Sequence, residues 1–245
     1  LSSIKEKNRM QLENAVVLVT GANRGLELAF ARAALARGAR KVYAGARDPA
    51  RVTLPGVVPV RLDVNKADDI AAAASACTDV TVLINNAGIA SVGGYLSAGS
   101  AEAARTMLET NFIGPLAMSK AFAPVLAANG GGAIINVLSV ASWVSSPLLA
   151  MYAASKAAAW SLTNGLRHEL AAQRTQVLGL HAGFIDTDLT RGIDGPKATP
   201  EAIVETAFDG LATGASEVLA DDVSRHVHAG LAADPAIYLH PLNRE

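Results

Sequence analysis

A chain of 245 residues, 51% of them hydrophobic, is long enough for one α/β domain with a substantial core. Its 21 basic and 22 acidic residues leave a net charge of −1, which gives no electrostatic footprint for nucleic acid. No run of about eighteen apolar residues occurs, which argues against a membrane span, and the single Cys77 excludes an internal disulfide and suits a reducing, cytoplasmic setting.

Residues 1–9 are polar and charged and lack the apolar stretch of a signal peptide. Met10 reads as a natural start, so 1–9 are expected to be a leader or a disordered N-terminus and 10–245 a single domain. A buried strand is predicted over 15–20, followed by Gly21-Ala22-Asn23-Arg24-Gly25-Leu26-Glu27 and an Ala-rich helix over 25–37. Strand, glycine turn and helix N-terminus bring backbone N–H groups to one point where a pyrophosphate can bind. Gly21 permits the tight turn and Gly25 a close approach of ligand to backbone. The next strand, 40–45, runs into Ala46-Arg47-Asp48, and a third, 57–62, into Asp63-Val64. Helix 66–76 precedes strand 80–85, which ends in Asn85-Asn86-Ala87-Gly88. One long helix is predicted over 101–128, carrying Asn111, and Gly130-Gly131-Gly132 turns into strand 132–138 and Ser139. Helix 150–172 carries Tyr152 and Lys156, and strand 175–181 leads to Ala182-Gly183 and Thr187. The Gly-rich, charged segment 190–199 is expected to be a mobile lid, before helix 200–212 and a last strand over 217–219. Near-continuous apolar strands alternating with helices imply a three-layer, doubly wound parallel sheet, the Rossmann architecture, in a single domain.

Tyr152 and Lys156 are spaced i, i+4, so on a helix the ammonium can lie beside the phenol. A free Tyr has a pKa near ~10, and bringing it to about 7 takes ~4 kcal/mol, which a nearby cation and a hydrogen-bond donor can supply. Ser139 can hydrogen-bond a carbonyl or alcohol oxygen that Tyr152 protonates or deprotonates.

The ordered set Thr20-Gly21 through Gly25, Asn85-Asn86-Ala87-Gly88, Asn111, Ser139, Tyr152 and Lys156 resembles the single-domain branch of the short-chain dehydrogenase/reductase family, over roughly 16–187. The resemblance implies that Tyr152 is the acid–base residue and that Lys156 tunes it and holds the nicotinamide ribose. It further implies that Ser139 orients the substrate oxygen, that Asn111 holds a water in a proton relay, that Asp63 accepts from the adenine amino group and that Thr187 contacts the nicotinamide amide. The bland reading of Asp63 is a turn cap. Homodimers or homotetramers through the two long helices are a family expectation.

The sequence departs from the family at Glu27, where a third glycine is usual, and at Ala182, where Pro is usual. Glu27 either crowds the cofactor, turns outward to complement the helix dipole, or is a substitution in an ordinary enzyme. An acid after the second strand would select NAD, yet Gly45 and Ala46 stand there with Arg47 following, and Arg24 can add a second cation. NADP is therefore the expected cofactor. Arg47 could instead pair with Asp48.

Expected cofactor contacts are Gly21, Asn23, Arg24, Gly25, Leu26, Arg47, Asp63, Val64, Asn86, Ala87, Gly88, Tyr152, Lys156, Gly183 and Thr187. No metal site is expected: His226 and His228 form no ligand cluster, and His181 reads as a strand-end core residue. Tyr95, Trp143, Leu149 and Phe184 are candidates for an apolar pocket or ordinary core. The expected activity is NADPH-dependent interconversion of a small-molecule ketone and alcohol. Two other readings are a cofactor-sensing or scaffold protein with impaired turnover, and a sugar-nucleotide epimerase or dehydratase, for which too few residues follow Lys156.

Overall fold

In the computed structural model, which describes residues 10–21 and 25–239, seven parallel strands form one sheet in the order β3-β2-β1-β4-β5-β6-β7. The strands are β1 (Val16–Thr20), β2 (Lys41–Ala46), β3 (Val58–Arg61), β4 (Val82–Asn85), β5 (Gly132–Val137), β6 (Thr175–His181) and β7 (Glu217–Leu219). The helices are α1 (Gly25–Ala36), α2 (Ala67–Ala76), α3 (Ser100–Leu108), α4 (Gly114–Ala128), α5 (Ala150–Glu169), α6 (Pro200–Thr213) and α7 (Asp222–Gly230).

Side chains alternate across each strand and so divide the core in two. Val17 and Val19 of β1 face Phe30 of α1 and Phe208 of α6, whereas Val16 and Leu18 face Phe122 of α4 and Leu166 of α5. Both faces of the inner strands are covered, which is why those strands read as unbroken apolar runs. The edge strand β3 is mostly exposed and carries Pro59 opposite Ala44.

Order reverses at β1, where the chain leaves toward β2 and later returns to β4 on the other side. Ligands of open α/β sheets bind at the carboxyl ends of the strands beside such a reversal. Thr20 closes this point: its buried hydroxyl accepts from the Asn86 and Ala87 N–H groups, both at 3.0 Å, tying the ends of β1 and β4 together.

Two expectations need correction. The predicted helix over 101–128 is two helices joined by a π-helical turn, Glu109–Ile113. Pro115 explains the break: it has no N–H to offer the Asn111 carbonyl four residues back, and the Gly114 N–H bonds Glu109 instead. Helix α7 is an element that the periodicity did not reveal. Its signal is the capping box, in which the Asp221 carboxylate accepts from Ser224 N–H at 2.7 Å.

The triple glycine is a packing requirement as well as a turn. Gly132 has φ +104°, and a Cβ there would lie 2.2 Å from the Thr81 carbonyl oxygen. Gly132→Ala is therefore expected to cost at least ~2 kcal/mol, from left-handed backbone strain plus a clash with main chain. Equilibrium urea unfolding reads this directly; an unchanged midpoint would mean that β5 can shift away from Thr81.

Candidate active site

The carboxyl ends of β1, β4, β5 and β6 supply the site's backbone, and α5 supplies its central pair. Tyr152 is half-buried and Lys156 is only 5% exposed. The Lys156 Nζ lies 5.7 Å from the Tyr152 ring centroid and donates to the Val137 carbonyl at 2.8 Å. The ammonium is thus anchored on the end of β5 and not on the phenol oxygen. Ser139, two residues beyond that carbonyl, is buried, and its hydroxyl accepts from the Ala141 N–H at 3.1 Å. Burial pushes the Tyr152 phenol up to about 12, with the Ser139 hydroxyl acting in the opposite direction. Burial also lowers Lys156 to about 8.

Asn111 sits in the π turn and clamps the neighbouring loop. Its side-chain oxygen accepts from the Ile89 N–H and its nitrogen donates to the Ile89 carbonyl, each at 2.9 Å. The same nitrogen donates to the Ser155 hydroxyl at 2.9 Å, which in turn donates to the Tyr152 carbonyl at 2.7 Å. The turn, the loop after β4 and the first turns of α5 are therefore fixed as one unit. A second polar thread runs beneath it. Asn85 donates to Asn136 at 2.8 Å, and Asn136 to the Thr163 hydroxyl at 2.9 Å, pinning α5 to the middle of the sheet. Sequence reasoning missed Asn136, although an Asn within Ile134-Ile135-Asn136-Val137 is a visible interruption of an apolar strand.

The glycine turn makes a cradle. Gly21 and Gly25 have φ of +82° and +58°. A Cβ on Gly21 would lie 3.4 Å from Ala87, and one on Gly25 3.4 Å from the Thr187 methyl, so side chains at either position would fill the space between the loops. Gly88 lies equally close to the catalytic pair: a Cβ there would be 3.3 Å from the Asn111 side-chain oxygen and 3.8 Å from the Lys156 Nζ. Leu26 is buried beneath the turn. Asn23 and Arg24 lie outside the described residues.

Glu27 does not turn outward. It is half-buried, and its Oε2 accepts from the Asn86 Nδ2 at 3.2 Å and lies 3.6 Å from where a Gly25 Cβ would be. The carboxylate therefore sits within the cradle, beside Thr187. Everything else in the donor set fits a dinucleotide: bare glycine backbone, the first turn of a twelve-residue helix and the small residues Ala87 and Gly88.

Around the cradle, Arg47 is exposed just beyond β2. Asp48 instead caps the next turn, accepting from Ala50 N–H at 3.1 Å. Gly45 cannot be replaced by an acid without rearrangement, because a Cβ would lie 2.7 Å from Leu62. Asp63 is half-buried and accepts from Asn65 N–H at 3.1 Å, so it closes a turn at the end of β3. Val64 is buried against Gly114 at the start of α4, in the wall behind the cradle. The Gly183 N–H donates to Asp221 at 2.7 Å. The lid segment is tied at its base, with Asp186 N–H donating to the Ala198 carbonyl and Ala198 N–H to the Phe184 carbonyl, both at 2.9 Å. Among the described residues no group of His, Cys, Asp and Glu could hold a metal ion, and no helix is long and apolar enough to cross a membrane.

Residues 15–197 match the family model described as short chain dehydrogenase. The chain is 34% identical over 200 residues to the Bos taurus dehydrogenase/reductase SDR family member 7B, an alignment covering 74% of this chain and 61% of that protein. It is 36% identical over 191 residues to a galactitol 2-dehydrogenase (L-tagatose-forming) of Cereibacter sphaeroides, covering 74% and 75% of the two chains. A crystal structure of a short chain dehydrogenase from Burkholderia cenocepacia in complex with NADP superposes with a TM-score of 0.91 at 43% identity, covering 96% of this chain and all of the other.

Proposed function

The chain belongs to the short chain dehydrogenase family, and on that premise we propose that it is an NADP(H)-dependent oxidoreductase that interconverts a carbonyl and a secondary alcohol, with Tyr152 as the acid–base group. The observation that carries this reading is buried Lys156, held on the end of β5 beside the Tyr152 ring and within reach of Gly88 and Asn111. When bound, the cofactor supplies the hydride. Gly21, Gly25, Ala87 and Gly88 would hold the dinucleotide's backbone, and Lys156 its ribose near the nicotinamide. Burial keeps the Tyr152 phenol protonated, and the Ser139 hydroxyl opposes that rise, the direction that proton donation to a carbonyl oxygen requires. Ser139 would hydrogen-bond that oxygen as charge develops on it.

The loops that reach the site bear on substrate class. Residues 86–100 and 138–155 contain no Asp, Glu, Lys or Arg. Tyr95, Leu96, Leu148 and Phe184 are exposed on the loops that carry or flank Ser139 and Tyr152. Neither segment offers a charged side chain to a substrate's carboxylate or phosphate, so an uncharged ketone with an apolar arm is the proposed substrate. A panel matched for size should show turnover of aryl or alkyl ketones with NADPH and little with keto acids or polyols. Preference for a keto acid would overturn the substrate class. No carbonyl reduction with either nicotinamide cofactor would favour a sensing or scaffold role, for which the Glu27 carboxylate in the cradle is the structural argument.

NADP is favoured because Gly45 and Ala46 stand where an acid would select NAD, with Arg47 exposed just after them, and because the Burkholderia cenocepacia relative was crystallised with NADP. Arg47→Ala should weaken NADPH at least tenfold more than NADH, since only NADPH carries the 2′-phosphate that a guanidinium can grip with two hydrogen bonds. Equal losses, read by fluorescence titration, would remove Arg47 as the discriminator.

A further inference from the structure

His181, at the end of β6, is fully buried and serves no part of the reaction described above. Its surroundings are specific. Nδ1 lies 3.2 Å from the Ser139 carbonyl oxygen, and because a carbonyl only accepts, Nδ1 carries the proton. Nε2 faces the Glu217 carboxylate of β7 at 3.6 Å. The imidazole stacks on Trp143, with ring centroids 3.9 Å apart and planes 17° from parallel. Glu217 is itself fixed, accepting from the Trp160 indole N–H at 2.9 Å, with Arg167 at 3.8 Å. Trp143 closes the short helical turn that begins at Ser139, so both ends of that turn rest on the same imidazole.

We infer that His181 is a positioning residue for Ser139: clamped between Trp143 and Glu217, it holds the Ser139 carbonyl through Nδ1–H and thereby sets where the Ser139 hydroxyl meets the Tyr152 phenol and the substrate oxygen. The inference rests on the reductase reading. Ser139 has a second restraint, because its carbonyl also accepts from Ser142 N–H at 3.0 Å. Removing His181 therefore strands no buried carbonyl, and Glu217 keeps Trp160. The local turn survives but loses the contact that ties it to β6. Misplacement of a hydrogen-bonding group by a fraction of an ångström affects the transition state more than binding.

Two substitutions separate this role from core packing. His181→Phe keeps an aromatic ring on Trp143 and removes both ring nitrogens. His181→Asn gives up the ring but can place an amide N–H near the position of Nδ1. Positioning predicts that His181→Phe lowers kcat at least tenfold, with KM and the NADPH Kd within about threefold of wild type. It also predicts that His181→Asn recovers most of the lost kcat despite its poorer packing. A packing role predicts the reverse order. His181→Phe with wild-type kcat, or His181→Asn slower than His181→Phe, overturns the inference. ¹⁵N NMR of the histidines supplies a reading independent of turnover. A proton on Nδ1 of His181, protected from exchange and lost in His181→Phe, is expected; an Nδ1 without a proton overturns the hydrogen bond to Ser139. A wild-type chain that binds NADPH, shows this proton and reduces no ketone would count against the reductase reading alone.

Discussion

Tyr152→Phe is expected to lower turnover at least ~10²-fold while leaving NADPH affinity nearly unchanged. The substitution removes one oxygen, the one that would deliver the proton. It leaves the cradle intact, since Ala87 is held by Thr20 and Gly21 by the Gly45 carbonyl, and neither contact involves Tyr152. It should not unfold the protein either. The Tyr152 main chain accepts from Ser155, and its ring packs with Ala150, Met151 and Met107 whether or not the oxygen is present. Steady-state turnover with a good ketone, beside a fluorescence titration of NADPH, checks both halves. Turnover within a few fold of wild type would eliminate Tyr152 as the acid.

Glu27→Gly is expected to tighten NADPH binding by one to two orders of magnitude, about 1.4–2.8 kcal/mol. The carboxylate lies inside the cradle on Asn86, beside Thr187 and Gly25. A phosphate ~5 Å from it would be repelled by ~3 kcal/mol at an effective dielectric of 20. Two opposing effects keep the expected gain below that figure. Gly costs ~1 kcal/mol in a helix relative to Ala, and Glu27, in the first turn of α1, also complements the helix dipole. Stability and affinity must therefore be measured separately, by denaturant unfolding of the cofactor-free protein and by titration. An NADPH Kd unchanged within about twofold would mean that the carboxylate moves aside when cofactor binds, or that its charge is compensated there.

The legible parts of this molecule were those written along the chain. Apolar runs separated by helical stretches define a parallel sheet, and the order Gly21, Gly25, Asn86, Ser139, Tyr152, Lys156 places the site at the strand ends. The i, i+4 spacing of Tyr152 and Lys156 survives because α5 is regular through both. What could not be read depends on partners distant in sequence or on one missing hydrogen. The inward turn of Glu27 is set by Asn86, a neighbour across the sheet. His181 reads as core from its strand, and only the Ser139 carbonyl, 42 residues away, gives its imidazole a direction. Pro115 was visible, but in an Ala- and Leu-rich stretch its effect on the carbonyl of Asn111 is not. The sequence likewise shows the cation four residues from Tyr152 but not the burial of the phenol, which raises its proton affinity.

Pro59 bears on how copies of the chain can meet. An outer strand with every N–H in place is a template on which another molecule's strand can add, extending one sheet into the next. In β3, only four residues long, proline removes one of the few donors that such an addition would use. Growth of the sheet past β3 is thereby discouraged, and recruitment of unfolded chains at that border with it. Any pairing of copies is left to surfaces other than this border, where a closed contact avoids the open-ended propagation that a bare strand invites.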